Sequence, residues 1–467
     1  MQTATADPPL ARSASGPLPA SPGARGPGWR RDLLARASTE LPAASTVAFR
    51  VAFGLLVAYS SIRFLWRGWV DEFYLGAEHH LTYPGFEWVQ PWPAPWMHLH
   101  VVALAVLGLL IASGRCTRVA AAIFAVAFTY VELIDRALYL NHYWFVTLAA
   151  VLLAVLPGPS PRGDTTTRTV PAITVWALRF QLGVVYTFAG IAKLNPDWLF
   201  HGEPLHTWLA ARTDRPLIGP LLDEPLVALG ASWAGAVFDL TIVGWLLWRR
   251  SRPYAYAVLV VFHLATAMLF QIGVFPWVMI ALTPIFFAPD WPTRLLRRNR
   301  PSVRPVVRHD AGRVGRPLAA FLAVFAAMNV VLPLRHWLAD GNVRWNDDGY
   351  ELSWRVMLTD RAGFLEFDVV EPATGRRWRV SPDLVLAEWQ IAEAETRPPL
   401  ALQTAQFVAE HFASLGHRGV QVYADSFVAM NGRLRQRMID PTVDLVTVSR
   451  WAPSAAYVLP LEPAVRD

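Results

Sequence analysis

The sequence predicts a multi-pass α-helical membrane domain of about eight or nine transmembrane helices, followed by an extracytoplasmic α+β or β-sandwich-like domain. Composition, recurrent apolar stretches and the placement of arginine carry this prediction. Of the 467 residues, 54% are hydrophobic and only 17% charged, with a mean hydropathy of +0.30. Soluble domains carry about 25% charge, so an ordinary cytosolic enzyme and a disordered chain are excluded. The net charge of +6 is dispersed in short clusters between apolar runs. That is the positive-inside pattern of a chain in a lipid bilayer and implies no nucleic-acid partner.

Residues 1–45 are rich in Pro, Ala, Gly, Ser and Arg and read as a disordered cytoplasmic tail, not as a cleaved leader. Nine apolar stretches follow within 46–335, at 46–66, 98–114, 119–140, 142–157, 171–192, 229–248, 253–272, 274–289 and 317–335. Several fall short of the roughly 20 residues that span a bilayer, so broken or re-entrant helices are expected, above all in 253–289. Threaded alternately, one set of loops holds 20 arginines and the other only Arg67, Lys193, Arg212 and Arg215. The arginine-rich set is therefore cytoplasmic, and Lys193 and the chain after 335 face the other side.

Residues 336–467 have the composition of a water-soluble cap. Phe364 to Val370 and Arg377 to Val380, joined by Glu371-Pro-Ala-Thr-Gly375, read as a hairpin. Pro398 to Leu415 has helical periodicity, and Gly419 to Met430 and Val443 to Ser449 read as strands.

Cys116 is the only cysteine, which excludes an internal disulfide, a four-cysteine zinc site and a CxxC pair, so redox chemistry has to come from a bound small molecule. His79, His80, His98 and His100 only weakly resemble metal spacing, and no metal is expected. Among 42 Lys and Arg residues there is one lysine, Lys193. Arginine can replace lysine where a positive charge suffices but not where the amine must lose its proton. A neutral role for Lys193 competes with a codon that has not drifted and with an anchor reaching for headgroups. Arg179, Gly183, Tyr186, Gly190 and Lys193 share one helical face, where the glycines admit either another helix or a flat ligand. Asn141, His142, Asp239 and His263 place further polar groups in or beside apolar segments, and Glu132 is spaced to pair with Arg136.

Asn141-His-Tyr-Trp144, Val185-Tyr-Thr-Phe-Ala-Gly-Ile-Ala-Lys-Leu-Asn-Pro-Asp-Trp198, Phe262-His-Leu264, Gln271-Ile-Gly-Val-Phe275 and Ala288-Pro-Asp-Trp-Pro292 resemble the vitamin K-dependent gamma-glutamyl carboxylase family. So do Tyr350-Glu-Leu-Ser-Trp354 and Asn431-Gly-Arg-Leu-Arg-Gln-Arg-Met-Ile-Asp-Pro441, in the same order from about 46 to 460. The resemblance is to a bacterial-type member of the HTTM-domain superfamily. It implies a cell-membrane enzyme that oxygenates reduced vitamin K, a naphthohydroquinone, with O2, and uses the strong base so formed to carboxylate glutamate side chains of a protein or peptide with CO2. It implies Lys193 as the base, with Asn141 and His142 in the same catalytic site. It implies His263 and, in the cap that closes over the site, Tyr350 around the quinone, to which the shared helical face adds Tyr186 and Gly190. Leu352 departs from a second tyrosine of the cap motif, and the lone cysteine precludes the animal enzyme's disulfide. Quinone oxygenation without carboxylation, and a non-catalytic transporter or anchor, are the alternatives.

Overall fold

The computed structural model describes residues 29–160, 168–216, 218–296 and 314–463. Most of the expected tail, residues 1–28, and the arginines of 297–313 lie outside them. The remainder of that tail is not disordered: it forms helix α1 (Trp29–Ala37) and strand β1 (Glu40–Pro42). The cause is a partner strand, since β1 pairs antiparallel with β2 (Thr169–Pro171), Glu40 opposite Pro171.

Among the described residues, seven helices are long and apolar enough to cross a membrane. They are α2 (Ala44–Trp66), α3 (Trp96–Ser113), α4 (Thr117–Ile134), α6 (Ala172–Ala192), α10 (Pro225–Leu247), α11 (Arg252–Leu269) and α14 (Arg316–Leu334) with its 3-10 extension to Leu338. Two of the nine apolar stretches give shorter helices, α5 (Asn141–Val155) and α12 (Phe275–Leu282), the latter continued by a 3-10 turn to Phe286. At 1.5 Å per residue α5 covers about 22 Å, less than a hydrocarbon core of about 30 Å. Between α6 and α10 lie three short helices, α7 (Pro196–Phe200), α8 (Leu205–Ala210) and α9 (Gly219–Leu222), and α13 (Trp291–Leu296) follows α12.

Small residues set the tightest crossing in the bundle. A Cβ on Gly54 of α2 would lie 2.5 Å from the carbonyl oxygen of Gly108 on α3, so only glycine permits these backbones to approach so closely. The bundle core includes Phe53, Phe124, Phe145, Leu182 and Met279, all fully buried.

The cap begins with α15 (Val343–Asn346) and is α+β; among its described residues there is no second sheet to make a sandwich. Its sheet has the order β4-β3-β5-β6, from β3 (Arg361–Glu371), β4 (Arg376–Val380), β5 (Gln421–Met430) and β6 (Gln436–Arg437). The expected hairpin forms, with Phe367 opposite Val380 and Glu371 opposite Arg376. Leu365, Phe367 and Val369 alternate inward with period two, as do Val422, Ala424 and Val428 on the neighbouring strand. This face packs on α16 (Glu388–Thr396) and α17 (Pro398–Ser414) through Leu400, Ala405 and Val408. The strand expected over Val443 to Ser449 is instead a 3-10 turn, Leu445–Thr447, because the Asp444 carboxylate accepts from the backbone of both Val446 and Val422.

Leu81, from the loop between α2 and α3, belongs to the cap core, and Trp354, from the cap, belongs to the bundle core. Each part thus buries a residue of the other.

Candidate active site

Helix α6 ends at a chain break built into its sequence. Lys193 is its C-cap, and Asn195 then caps α7 by accepting from the backbone N–H of Trp198, with Pro196 in the first turn. The lysine side chain turns inward instead of snorkelling: Nζ donates to Asp239 Oδ2 at 2.7 Å and to the Ala189 carbonyl at 3.3 Å. It lies 5.0 Å from the centre of the Trp198 ring, and Lys193 and Asp239 are 6% and 5% exposed.

The approach of α6 to α10 makes this pair possible. A Cβ on Gly190 would stand 2.8 Å from both the backbone nitrogen and Cγ of Leu240, the residue after Asp239. Gly190, expected beside the quinone, is therefore occupied with helix packing and does not line the cavity described next. Arg179, on the same stripe, donates to the carbonyls of Ile285, Phe286 and Phe287 and has a structural role.

Lys193 and Asp239 stand in a cavity of ≈350 Å³ between α6, α10, α11 and the cap. This is within the size range of small-molecule sites, and its walls are mainly apolar and aromatic, including Phe262, Phe270 and Phe275. Tyr186 and His263 also line it, and the Tyr186 hydroxyl is 2.9 Å from His263 Nε2. His263 Nδ1 is buried and has no hydrogen-bond partner among the described residues. Val356 and Met357 of the cap close the outer side.

Two of the remaining expected site residues, Asn141 and Tyr350, hold this lid. Asn141 Nδ2 and the Tyr350 hydroxyl both donate to the carbonyl of Arg355, each at 3.2 Å, and thereby fix the strand of chain that presents Val356 and Met357. Neither Asn141 nor Tyr350 lines the cavity itself. His142 is one ring removed, 5.8 Å from Phe275, which in turn is 5.9 Å from His263.

Sequence reading missed the ionic lock between bundle and cap. Arg136 does not pair with Glu132, because α4 stops at Ile134 and Asp135 is extended. Instead Arg136 Nε donates to Glu351 Oε1 at 2.5 Å, and Arg397 Nη2 joins the same oxygen at 2.8 Å. Asp197, in the run after Lys193, receives Arg433 at 2.6 and 2.9 Å, Arg344 at 2.8 Å and Asn431 at 3.2 Å. Burial opposes its ionisation, but Arg433 and Arg344 outweigh burial and hold its carboxyl below the usual aspartate range. Asp347 is likewise held low, against burial, by Arg361 and Arg397. The spacing of Asn431 and Arg433 was visible in the sequence, but their common partner 234 and 236 residues away was not.

Among the described residues, no group of three or more His, Cys, Asp or Glu is placed to hold a metal ion. His80 instead bridges Asp135 and the carbonyl of Tyr74, each at 3.2 Å. Residues 39–291 match the family model of the HTTM domain, and residues 315–464 match that of the vitamin K-dependent gamma-carboxylase lumenal domain. No solved structure matches the chain.

Proposed function

The chain belongs to the HTTM domain family and carries the lumenal domain of the vitamin K-dependent gamma-carboxylase family, and from this premise we propose that it oxygenates a reduced naphthoquinone and carboxylates glutamate side chains of a protein or peptide with CO2. The reading places it in the cell membrane with the cap outside the cytoplasm. The observation that carries the proposal is the buried Lys193–Asp239 pair at the wall of an aromatic cavity.

The residues present fit a naphthohydroquinone. Flat aromatic walls suit its rings, and the lining residue His263 carries a buried polar atom, Nδ1, without a partner among the described residues, which a ring oxygen of the quinone would satisfy. Whichever tautomer His263 adopts against Tyr186, Nδ1 can bond that oxygen, as donor or as acceptor. When bound, the hydroquinone supplies the electrons that reduce O2 and, through its oxidation, the base strength needed to deprotonate a carbon acid.

Lys193 is the general base. Passing one proton from Nζ to Oδ2 across the 2.7 Å hydrogen bond turns the ion pair into a neutral amine and acid, with no change in net charge. Nζ then has a lone pair to accept a hydroxyl proton, while Asp239 holds the first. Arginine could not do this, because it does not give up its proton in proteins. Val356 and Met357, fixed by Asn141 and Tyr350 through the Arg355 carbonyl, keep water from the site.

The test is the purified full-length protein with reduced naphthoquinone, O2, labelled CO2 and a glutamate-rich peptide. Epoxide together with label fixed in the peptide is the expected result. Epoxide without fixed label would remove the carboxylation step, and neither product would overturn the reading.

A further inference from the structure

A second cavity, of ≈370 Å³, lies on the other face of α6. Tyr186, Ala189 and Lys193 face the first cavity, whereas Phe188 and Ile191 face this one, as helical periodicity requires. Its far wall is the end of α14 at Pro333 and Leu334, and its roof includes Arg344 and Arg355 of the cap.

Arg355 is the unusual group. It is 6% exposed, and its Nε has no hydrogen-bond partner among the described residues. The neighbouring guanidiniums offer it no counter-charge. Arg344 is engaged with Asp197, which also serves Arg433, and Arg335 donates to the carbonyls of Leu332 and Glu351 at 3.0 and 2.5 Å. Burial, with Arg344 and Arg335 near by, pushes the Arg355 guanidinium down to about 10. A buried guanidinium beside two others is costly unless an anion joins it, and its planar fork suits a phosphate.

We propose that this cleft between the ends of α6 and α14 binds the phosphate of an anionic phospholipid headgroup, with Arg355 as its principal contact. The mouth is apolar and opens sideways: Ile191, Leu194 and Trp337 line it and are exposed, and most of α14 is unburied. Acyl chains fit that approach, and Trp337 sits where headgroup-level tryptophans are found. An acidic peptide would arrive from the aqueous side, which the 350–357 segment covers. The site is independent of the chemistry assigned to Lys193.

The full-length protein is reconstituted in vesicles of phosphatidylcholine and phosphatidylglycerol, and retained lipid is read by native mass spectrometry. Wild type and Lys193→Arg should retain phosphatidylglycerol over phosphatidylcholine. Arg355→Gln should lower that retention about tenfold or more, the scale of a charge-assisted hydrogen bond, whereas Arg355→Lys, which keeps the charge but not the fork, should retain more than Arg355→Gln and less than wild type. Ile191→Trp, which narrows the mouth without touching Arg355, should lower retention as well and serves as the test if Arg355→Gln does not fold. Equal retention in wild type, Arg355→Gln and Ile191→Trp would overturn the proposal. So would displacement of the lipid by a glutamate-rich peptide, or Arg355-dependent binding of inorganic phosphate without lipid selectivity.

Discussion

Replacing Asp239 by leucine leaves the ammonium of Lys193, a buried residue, with only the Ala189 carbonyl at 3.3 Å and the face of Trp198 to support it. Breaking a buried ion pair from one side costs about 3–5 kcal/mol, because a charge is left uncompensated. Asp239→Leu and Lys193→Met should each therefore lower stability by roughly that amount. The double variant Lys193→Met/Asp239→Leu replaces the pair by apolar groups of similar volume and should recover most of the loss, giving a coupling energy of several kcal/mol. Unfolding in mixed micelles followed by tryptophan fluorescence provides the four corners of the cycle. All three variants should lack quinone oxygenation, so stability and activity part company in the double variant. Additive destabilisation, with the double variant as weak as the sum of the singles, would refute the coupling inferred from the 2.7 Å contact.

Gly190→Ala would place a Cβ 2.8 Å from the Leu240 backbone and force α6 and α10 apart. A loss of about 1–3 kcal/mol is expected for such overpacking, with a fall in quinone oxygenation because the helices that set the Lys193–Asp239 distance have moved; unchanged stability and turnover would show the crossing to be slack. Asp197 and Asp347 both have folded pKa values below the ordinary 3.8. Their contribution is present above that value and lost as pH falls through the lower folded values, so release of the cap, read by limited proteolysis, should begin only below about pH 4. Release already under way near pH 6 would contradict this sign. In a Cys116→Ser background, Ala373→Cys in the cap and Arg250→Cys between α10 and α11 should react with an impermeant thiol reagent from opposite sides of the membrane. Both positions are exposed, and labelling from one side would sink the topology.

The membrane architecture was legible because its cause is local. A run of apolar residues predicts a helix wherever it lies, and all nine runs became helical, including the two too short to span unaided. Lys193, Tyr186 and His263 were legible for a related reason: polar groups in apolar segments are costly, and all three line one cavity. What escaped depends on contacts between distant segments. The sequence marked Asp239 as an intramembrane acid but gave no sign that its partner is Lys193, since the two lie 46 residues apart. Asn141 and Tyr350 were expected against the quinone, yet they meet at the carbonyl of Arg355, an atom every residue has and no motif encodes. Gly190 fitted two physical roles equally well in the sequence, and only the position of Leu240 decides for helix packing.

The account rests on Lys193 giving and taking a proton at Nζ. Lys193→Arg retains the positive charge and can still reach Asp239, but it removes the neutral state that a base requires. Quinone oxygenation should be measured for wild type and Lys193→Arg at equal amounts of folded protein, with Lys193→Arg stability checked in the same micelles. Lys193→Arg should be stable, with a rate lower by about 10²- to 10⁴-fold, the usual contribution of a general base. A rate within a few-fold of wild type would show that Lys193 serves only as a charge for Asp239 and would contradict the central claim.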